Sequence, residues 1–251
     1  MKILALDTSG LVAGVAVMED DVLIAEYTTN YKKTHSQTLL PMLAEVKKMI
    51  GLDLSTLDAI AVAAGPGSFT GLRIGSATAK GLGFALNKPL IGVPTVDALA
   101  MNLYGTDDLV CPLMDARRNQ VYTGIYAFEP VPVREEVQEG TAPEERFCLK
   151  VLKPRCAVPI ETIAEELNAL PGEKHVVFLG DGVPVFRDRL TGLMKRPYSF
   201  APATCNRQRA AAVALLAREY AAEGRLQTAG EHAPEYLRPS QAEQERKAAP
   251  C

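Results

Sequence analysis

The 251-residue sequence holds three histidines, none of them spaced to share a metal ion with another, and no Ser/His/Asp or Cys/His set at a recognisable spacing. Its five cysteines are odd in number, scattered and without a Cys-x-x-Cys pair. That excludes a disulfide framework or a cysteine zinc site and points to reduced thiols. No apolar run approaches the roughly 18 residues of a membrane span, and Met1–Asp7 has no long apolar leader core with a small-residue cleavage site. A soluble, cytoplasmic protein is therefore expected. A formal net charge of −3 argues against broad electrostatic adhesion to nucleic acid or anionic membranes. Nearly half apolar and about a quarter charged, the chain is long enough for one large or two modest domains.

What is present begins with one segment, Ala61–Gly75. An apolar strand runs into Gly65-Pro66-Gly67, and Ser68 or Thr70 then caps a glycine- and alanine-rich helix. Such a turn offers backbone N–H groups and a helix dipole to a phosphate, although no Gly-Lys-Ser/Thr follows it as in a Walker loop. A ligand-free strand-to-helix turn fits the same residues. Gly71, Gly75, Gly81 and Gly83 lie inside the helix, at about 1 kcal/mol each relative to alanine. Close approach of another backbone is the expected compensation.

Strands are expected at 2–7, 11–18 and 21–28, then a helix at 35–50, a strand at 59–64, the glycine helix at 70–86, a strand at 90–93 and a helix near 95–103. The order recurs with strands at 109–114, 120–128 and 131–137, a helix near 160–169, a strand at 175–180 and a helix at 207–223. Pro-rich spacers interrupt the second copy around 130–143 and 153–159. This tandem β-β-β-α-β-α pattern predicts an α/β fold of two ribonuclease-H-like lobes, the architecture of actin, sugar kinases and Hsp70 ATPases. The expected division is 1–104, 105–237 and a polar, frayed tail of 238–251.

Asp7-Thr8-Ser9 closes the first strand, where actin-like ATPases place an Asp and small hydroxyls toward phosphate and magnesium. The same residues also suit an Asx-turn. Asp7, Thr8, Ser9, Gly65, Gly67 and Ser68 are the candidate nucleotide residues. The helix at 35–50 carries too wide an apolar arc, about 180° against the roughly 100° that one sheet covers. Leu39, Leu43, Val46 and Ile50 form one stripe, His35, Met42 and Met49 flank it, and Leu40 lies opposite. The next helix adds a small-residue stripe, Gly71-Gly75-Ala79-Gly83, with Ile74, Thr78 and Leu82 beside it. A helix-bundle interface is expected from these two surfaces, unless a second-lobe element covers both.

The segments Ile3–Ser9, His35–Pro41, Gly65–Gly75, Gly92–Leu99 and Pro234–Arg238 together resemble the bacterial TsaB (YeaZ) family, most strongly over residues 1–100. The resemblance implies a part in making threonylcarbamoyladenosine beside the anticodon of tRNAs that read A-starting codons. It implies a diverged paralogue of TsaD, whose His-x-x-x-His metal motif is replaced here by Thr95 and Leu99, and whose second nucleotide loop survives only as Gly180-Asp181-Gly182-Val183. Neither Thr nor Leu substitutes for imidazole on a transition metal. A non-catalytic scaffold is implied, with no resident metal and no tightly bound cofactor. Its two N-terminal helices would bundle with TsaD, or with a second copy when TsaD is absent. A TsaE-like ATPase would join the pair, ATP or ADP would lie at or near the contact, and tRNA would be met through the complex. The rival readings are an actin-like small-molecule phosphotransferase, a metallo-glycoprotease and a homodimeric module unrelated to tRNA.

Overall fold

In the computed structural model, described over residues 1–31, 33–131 and 146–238, the chain forms two compact units. One comprises Met1–Leu99 and the described residues from Arg207 onward; the other is Ala100–Asn206.

The first unit opens with an antiparallel meander, β1 (Lys2–Asp7), β2 (Ala13–Glu19) and β3 (Val22–Thr29). Then come α1 (His35–Met49), β4 (Ala59–Gly65), α2 (Phe69–Leu86), β5 (Leu90–Pro94) and α3 (Thr95–Ala100). The strands lie in the order β3-β2-β1-β4-β5, with β4 and β5 parallel to β1. Every residue of β4 is buried, as its unbroken apolar run requires of a strand covered on both faces. On one face, Leu4, Leu6, Val15, Val17, Ile60 and Val62 meet Leu39, Met42, Leu43 and Val46 of α1 and Ala79 of α2.

The opposite face holds a correction. The helix expected to close a lobe of 105–237 is α6 (Ala210–Ala222), and it packs on the first sheet, against β1 and β2 above all. Its alanines allow close seating: a Cβ on Gly14 would lie 3.2 Å from that of Ala210. Glu26 of β3 anchors the helix start, accepting from the Ala211 N–H at 3.1 Å and from Arg209 Nε at 3.1 Å. A carboxylate there also complements the helix dipole. Arg218 pairs with Asp21 further along.

The second unit contains β6 (Leu109–Asp115), β7 (Gln120–Val131), β8 (Arg146–Pro159), α4 (Ile160–Ala169), β9 (Val176–Leu179), α5 (Val183–Leu193) and β10 (Tyr198–Phe200). From its antiparallel edge the sheet reads β8-β7-β6-β9-β10, the connectivity of the first sheet repeated. Ile160, Ile163 and Leu167 of α4, with Phe186 and Leu190 of α5, cover one face. The fold is α/β with two ribonuclease-H-like lobes, the actin-like architecture expected from the repeated pattern. Strand β8 overturns the spacer read at 153–159. As a strand at the sheet edge, paired among the described residues only with β7, it tolerates proline, and Pro154 falls where the register breaks opposite Gly124. The helix α5, which carries Pro184 and Gly192, and the three-residue β10 were not foreseen. Beyond Val131, the expected strand at 131–137, most of the 130–143 spacer, and the tail past Arg238 lie outside the described residues.

The inner stripe of α2 also departs from expectation. Gly71, Gly75, Ala79 and Gly83 are buried against this chain's own Thr8, just past β1, and against β4 and β5. A Cβ on Gly71 would stand 2.0 Å from the Thr8 carbonyl oxygen, on Gly75 2.4 Å from Thr8 Oγ1, and on Gly83 2.4 Å from Leu90 Cδ1. The close backbone approach that offsets the helix glycines is internal.

The late motif Pro234–Arg238 belongs to a strap laid over α2. Gln227 and Leu90 exchange backbone hydrogen bonds of 2.7 and 2.9 Å, and Lys80 Nζ donates to the His232 carbonyl at 2.9 Å. The Glu235 N–H donates to the Ala64 carbonyl at 2.7 Å, and the Glu235 oxygen lies 2.2 Å from where a Gly65 Cβ would sit. The Tyr236 ring stacks 4.7 Å from Phe69, its hydroxyl accepting from Arg73 Nε at 3.3 Å. His232 is 1 % exposed, with Nδ1 3.1 Å from Gln227 Oε1. Burial, and then the Lys80 cation, hold its pKa below the ordinary imidazole value.

Two outcomes follow from this packing. Gly75→Ala is expected to lower stability by about 1–3 kcal/mol through overpacking against Thr8, measured by denaturant titration. For His232, the unfolded chain takes the proton first, so its contribution is full above about pH 6.5 and declines as pH falls below it. His232→Gln should remove that part of the slope, and an unchanged pH profile of unfolding would refute the assignment.

Candidate functional site

The turn between β1 and β2 and the start of α2 bring all the candidate nucleotide residues together. The Ser9 N–H and Oγ both donate to Asp7 Oδ1, at 2.9 and 2.6 Å. Thr8 Oγ1 donates to the Gly71 carbonyl at 2.7 Å, and the Ser68 N–H donates to the Ser9 carbonyl at 2.7 Å. A Cβ on Gly67 would lie 2.3 Å from that same Ser9 oxygen, so glycine is required for the contact. Asp7, Thr8 and Ser9 are at most 2 % exposed; Ser68 is exposed, its hydroxyl accepting from the Gly71 N–H at 3.3 Å. The positive end of α2 thus faces the chain's own Ser9 carbonyl, the partner a phosphate oxygen would otherwise be.

Beside this corner, the first turns of α1 and α2 border a recess of about 420 Å³. Lys33, Thr34, His35, Ser68 and Thr70 supply its polar lining, and Leu11, Tyr31 and Ile74 its apolar side. His35 Nε2 lies 2.8 Å from the Gly10 carbonyl and so carries the donated proton. His35 is half-buried, a link between α1 and the β1–β2 loop.

The interface candidates divide. Leu39, Met42, Leu43 and Val46, at 1–5 % exposure, form the chain's own core, as do Gly71, Gly75 and Ala79, which corrects their assignment to a partner. Ile74 and Leu82 are half-buried against that core, Thr78 is half-buried, and Met49 is 75 % exposed. Much of the outward surface is made by residues left out of the interface set, although Leu40 had been noted on one flank of the apolar arc and Gly81 among the helix glycines. On α2, Ala77, Gly81 and Ala85 repeat the four-residue spacing and are exposed, with Phe84 at 67 % beside them; on α1, Leu40 is 54 % exposed and Ala44 is exposed. Nothing lies within 4 Å of a Cβ built on Gly81. Two small stripes run along α2, and spacing alone cannot tell which faces in.

Thr95 and Leu99 sit on α3 at 0 and 1 % exposure. No three His, Cys, Asp or Glu side chains among the described residues converge to hold a metal ion. In the second unit, a Cβ on Gly182 would come 2.9 Å from the Leu113 carbonyl, and Gly180 has φ +113°, so both glycines serve the β9–α5 turn. The Cys111 thiol is pushed up to about 12 by burial, which leaves it inert as a nucleophile.

Comparison with known proteins identifies the family. The family model for TsaD, tRNA N6-adenosine threonylcarbamoyltransferase, matches residues 22–246. The tRNA threonylcarbamoyladenosine biosynthesis protein TsaB of Bacillus subtilis is 32 % identical over 97 % of this chain and 96 % of its own length. The Escherichia coli TsaB is 33 % identical over 72 % of each chain. Among solved structures, YeaZ from Pseudomonas aeruginosa superposes with a TM-score of 0.74 at 28 % identity, covering 94 % of this chain and 99 % of its own. The ethanolamine utilization protein EutJ from Carboxydothermus hydrogenoformans, at 13 % identity and a TM-score of 0.50 over 86 % of this chain and 89 % of its own, shares the fold alone. With relatives matching along nearly its whole length, the chain belongs to the TsaB (YeaZ) family of tRNA threonylcarbamoyladenosine biosynthesis proteins, paralogues of TsaD.

Proposed function

We propose that the chain is a non-catalytic scaffold and dimerisation subunit. It binds and activates a TsaD-like catalytic subunit that forms N6-threonylcarbamoyladenosine next to the anticodon of tRNAs reading A-starting codons. The observation that carries this reading is the outward stripe Ala77-Gly81-Ala85, bordered by exposed Phe84 and Leu40. Small residues four apart let a partner helix approach closely, a packing best documented in membranes. In water, burial of Phe84 and Leu40 adds a hydrophobic drive of about 1.5–3 kcal/mol per side chain.

The residues where the paralogue has its metal ligands support a scaffold rather than an enzyme. Thr95 and Leu99 are buried and offer no imidazole. The closed Asp7–Ser9 corner weighs against a phosphotransferase, since its hydroxyls and carbonyls already bond within the chain. ATP or ADP would lie instead at or near the partner contact. The recess at the first turns of α1 and α2 is suited to it, since Lys33 offers a cation and Thr34, Ser68 and Thr70 offer hydroxyls. In this reading a cytoplasmic complex forms in which a TsaE-like ATPase joins the pair and tRNA is reached through the assembly. Alone, the chain pairs with itself through the same face.

Gly81→Arg tests the assignment. With open space around residue 81, the variant is expected to keep its thermal midpoint within a few degrees. It should lose co-purification with the TsaD-like subunit, and cells carrying only this variant should lose the tRNA modification. Retained stoichiometric co-purification would overturn the interface; lost contact with normal modification would overturn the scaffold role.

A further inference from the structure

A second surface lies on the other flank of α1. Among the described residues, strand β3 ends the first sheet and pairs with β2 alone, so half of its backbone N–H and C=O groups point away from the ladder. Soluble proteins blunt such edges with lysine, proline or inward charge. Here Val22, Ile24 and Tyr27 are 59, 42 and 43 % exposed. The one charged residue of the strand, Glu26, is engaged by Arg209 and the Ala211 N–H on α6.

Beside this edge runs a groove of about 640 Å³. Tyr27 pairs in register with Val15, whose side chain lies in the core beneath α1, so Tyr27 stands on the α1 face of the sheet. Tyr27, Thr29 and Tyr31 form one wall, and Thr38, Pro41 and Met42 of α1 the other. Tyr31 is 72 % exposed. Lys33 and Glu45 line the same groove and balance each other in charge. RNA backbones are held by concentrated positive charge, which a Lys/Glu pair does not supply. An extended peptide needs a free strand edge and a side-chain groove next to it, and both are present.

We propose that this edge and groove take up an extended segment of a partner protein by strand addition along Ala25–Thr29. Apolar side chains at alternate positions of the segment enter the groove between the tyrosines and Met42, and the intervening ones face solvent. The site is separate from the outward face of α2, so it leaves that face open for a second partner.

Random peptides displayed on phage and selected on the immobilised full-length chain supply the probe. The expected result is enrichment of peptides with alternating apolar residues, whose binding slows hydrogen exchange of backbone amides within Ala25–Thr29. Tyr27→Lys and Tyr31→Ser should each weaken the selected peptide by about tenfold or more. Gly81→Arg should leave its affinity unchanged, which separates this site from the bundle face. If Tyr27→Lys lowers the thermal midpoint, Tyr31→Ser, at an exposed ring, decides the matter. No enrichment above background, or binding that protects other strands or ignores both tyrosine variants, would overturn the proposal. So would a single-stranded oligoribonucleotide that binds with the same residue dependence, or self-association of the wild-type chain that Tyr27→Lys alone abolishes.

Discussion

The contact on which the first unit depends is the seating of the Thr8 and Ser9 carbonyl oxygens against the first turns of α2. Cβ atoms on Gly67 and Gly71 would stand 2.3 and 2.0 Å from those oxygens, so both positions exclude any side chain. The Thr8 hydroxyl and the Ser68 N–H complete the joint. It fixes the helix to the corner between β1 and β2, and the strap from Gln227 to Tyr236 holds the same helix from its other flank. The corner between β1 and β2 is thus held by the protein's own backbone and hydroxyls.

That joint sets the functional character of α2. With its inner stripe committed to Thr8 and Leu90, only the outer stripe is available to another chain. The helix therefore has glycines for two reasons. Gly71, Gly75 and Gly83 serve packing within the chain, whereas Gly81 faces open space and yields no internal contact for its cost of about 1 kcal/mol relative to alanine. In the proposed scaffold role, close approach of a partner helix offsets that cost.

The flanks of α1 carry different surfaces, joined at Tyr31 and Lys33, which line both cavities. Toward α2 lie Leu40 and the recess shared by the two helix starts; toward β3 lie the tyrosine groove and an uncovered strand edge. Glu26 illustrates how the sheet holds these apart: its carboxylate turns to α6 on the far face, leaving the β3 edge without the charge that would repel an added strand.

Much of this was legible from residue order. The three strand-like runs of β1–β3, the unbroken apolar run of β4, the glycine turn before α2 and the recurrence of the pattern are local signals, and they pointed to the two-lobe fold and the family. What periodicity does not carry is direction. Leu39 and Leu40 are neighbours on one helix, yet one is 1 % and the other 54 % exposed, because only the sheet's position decides which side of an apolar arc is core. The same holds for the two stripes of α2, told apart by Thr8 some sixty residues earlier in the chain. The partner of α6 depended on Glu26, 185 positions before the Ala211 N–H it accepts from, and the proline-bearing β8 formed because an edge strand has no second neighbour to satisfy. Short-range chemistry determined which elements form, and the long-range contacts alone decided which of their faces remain free to act.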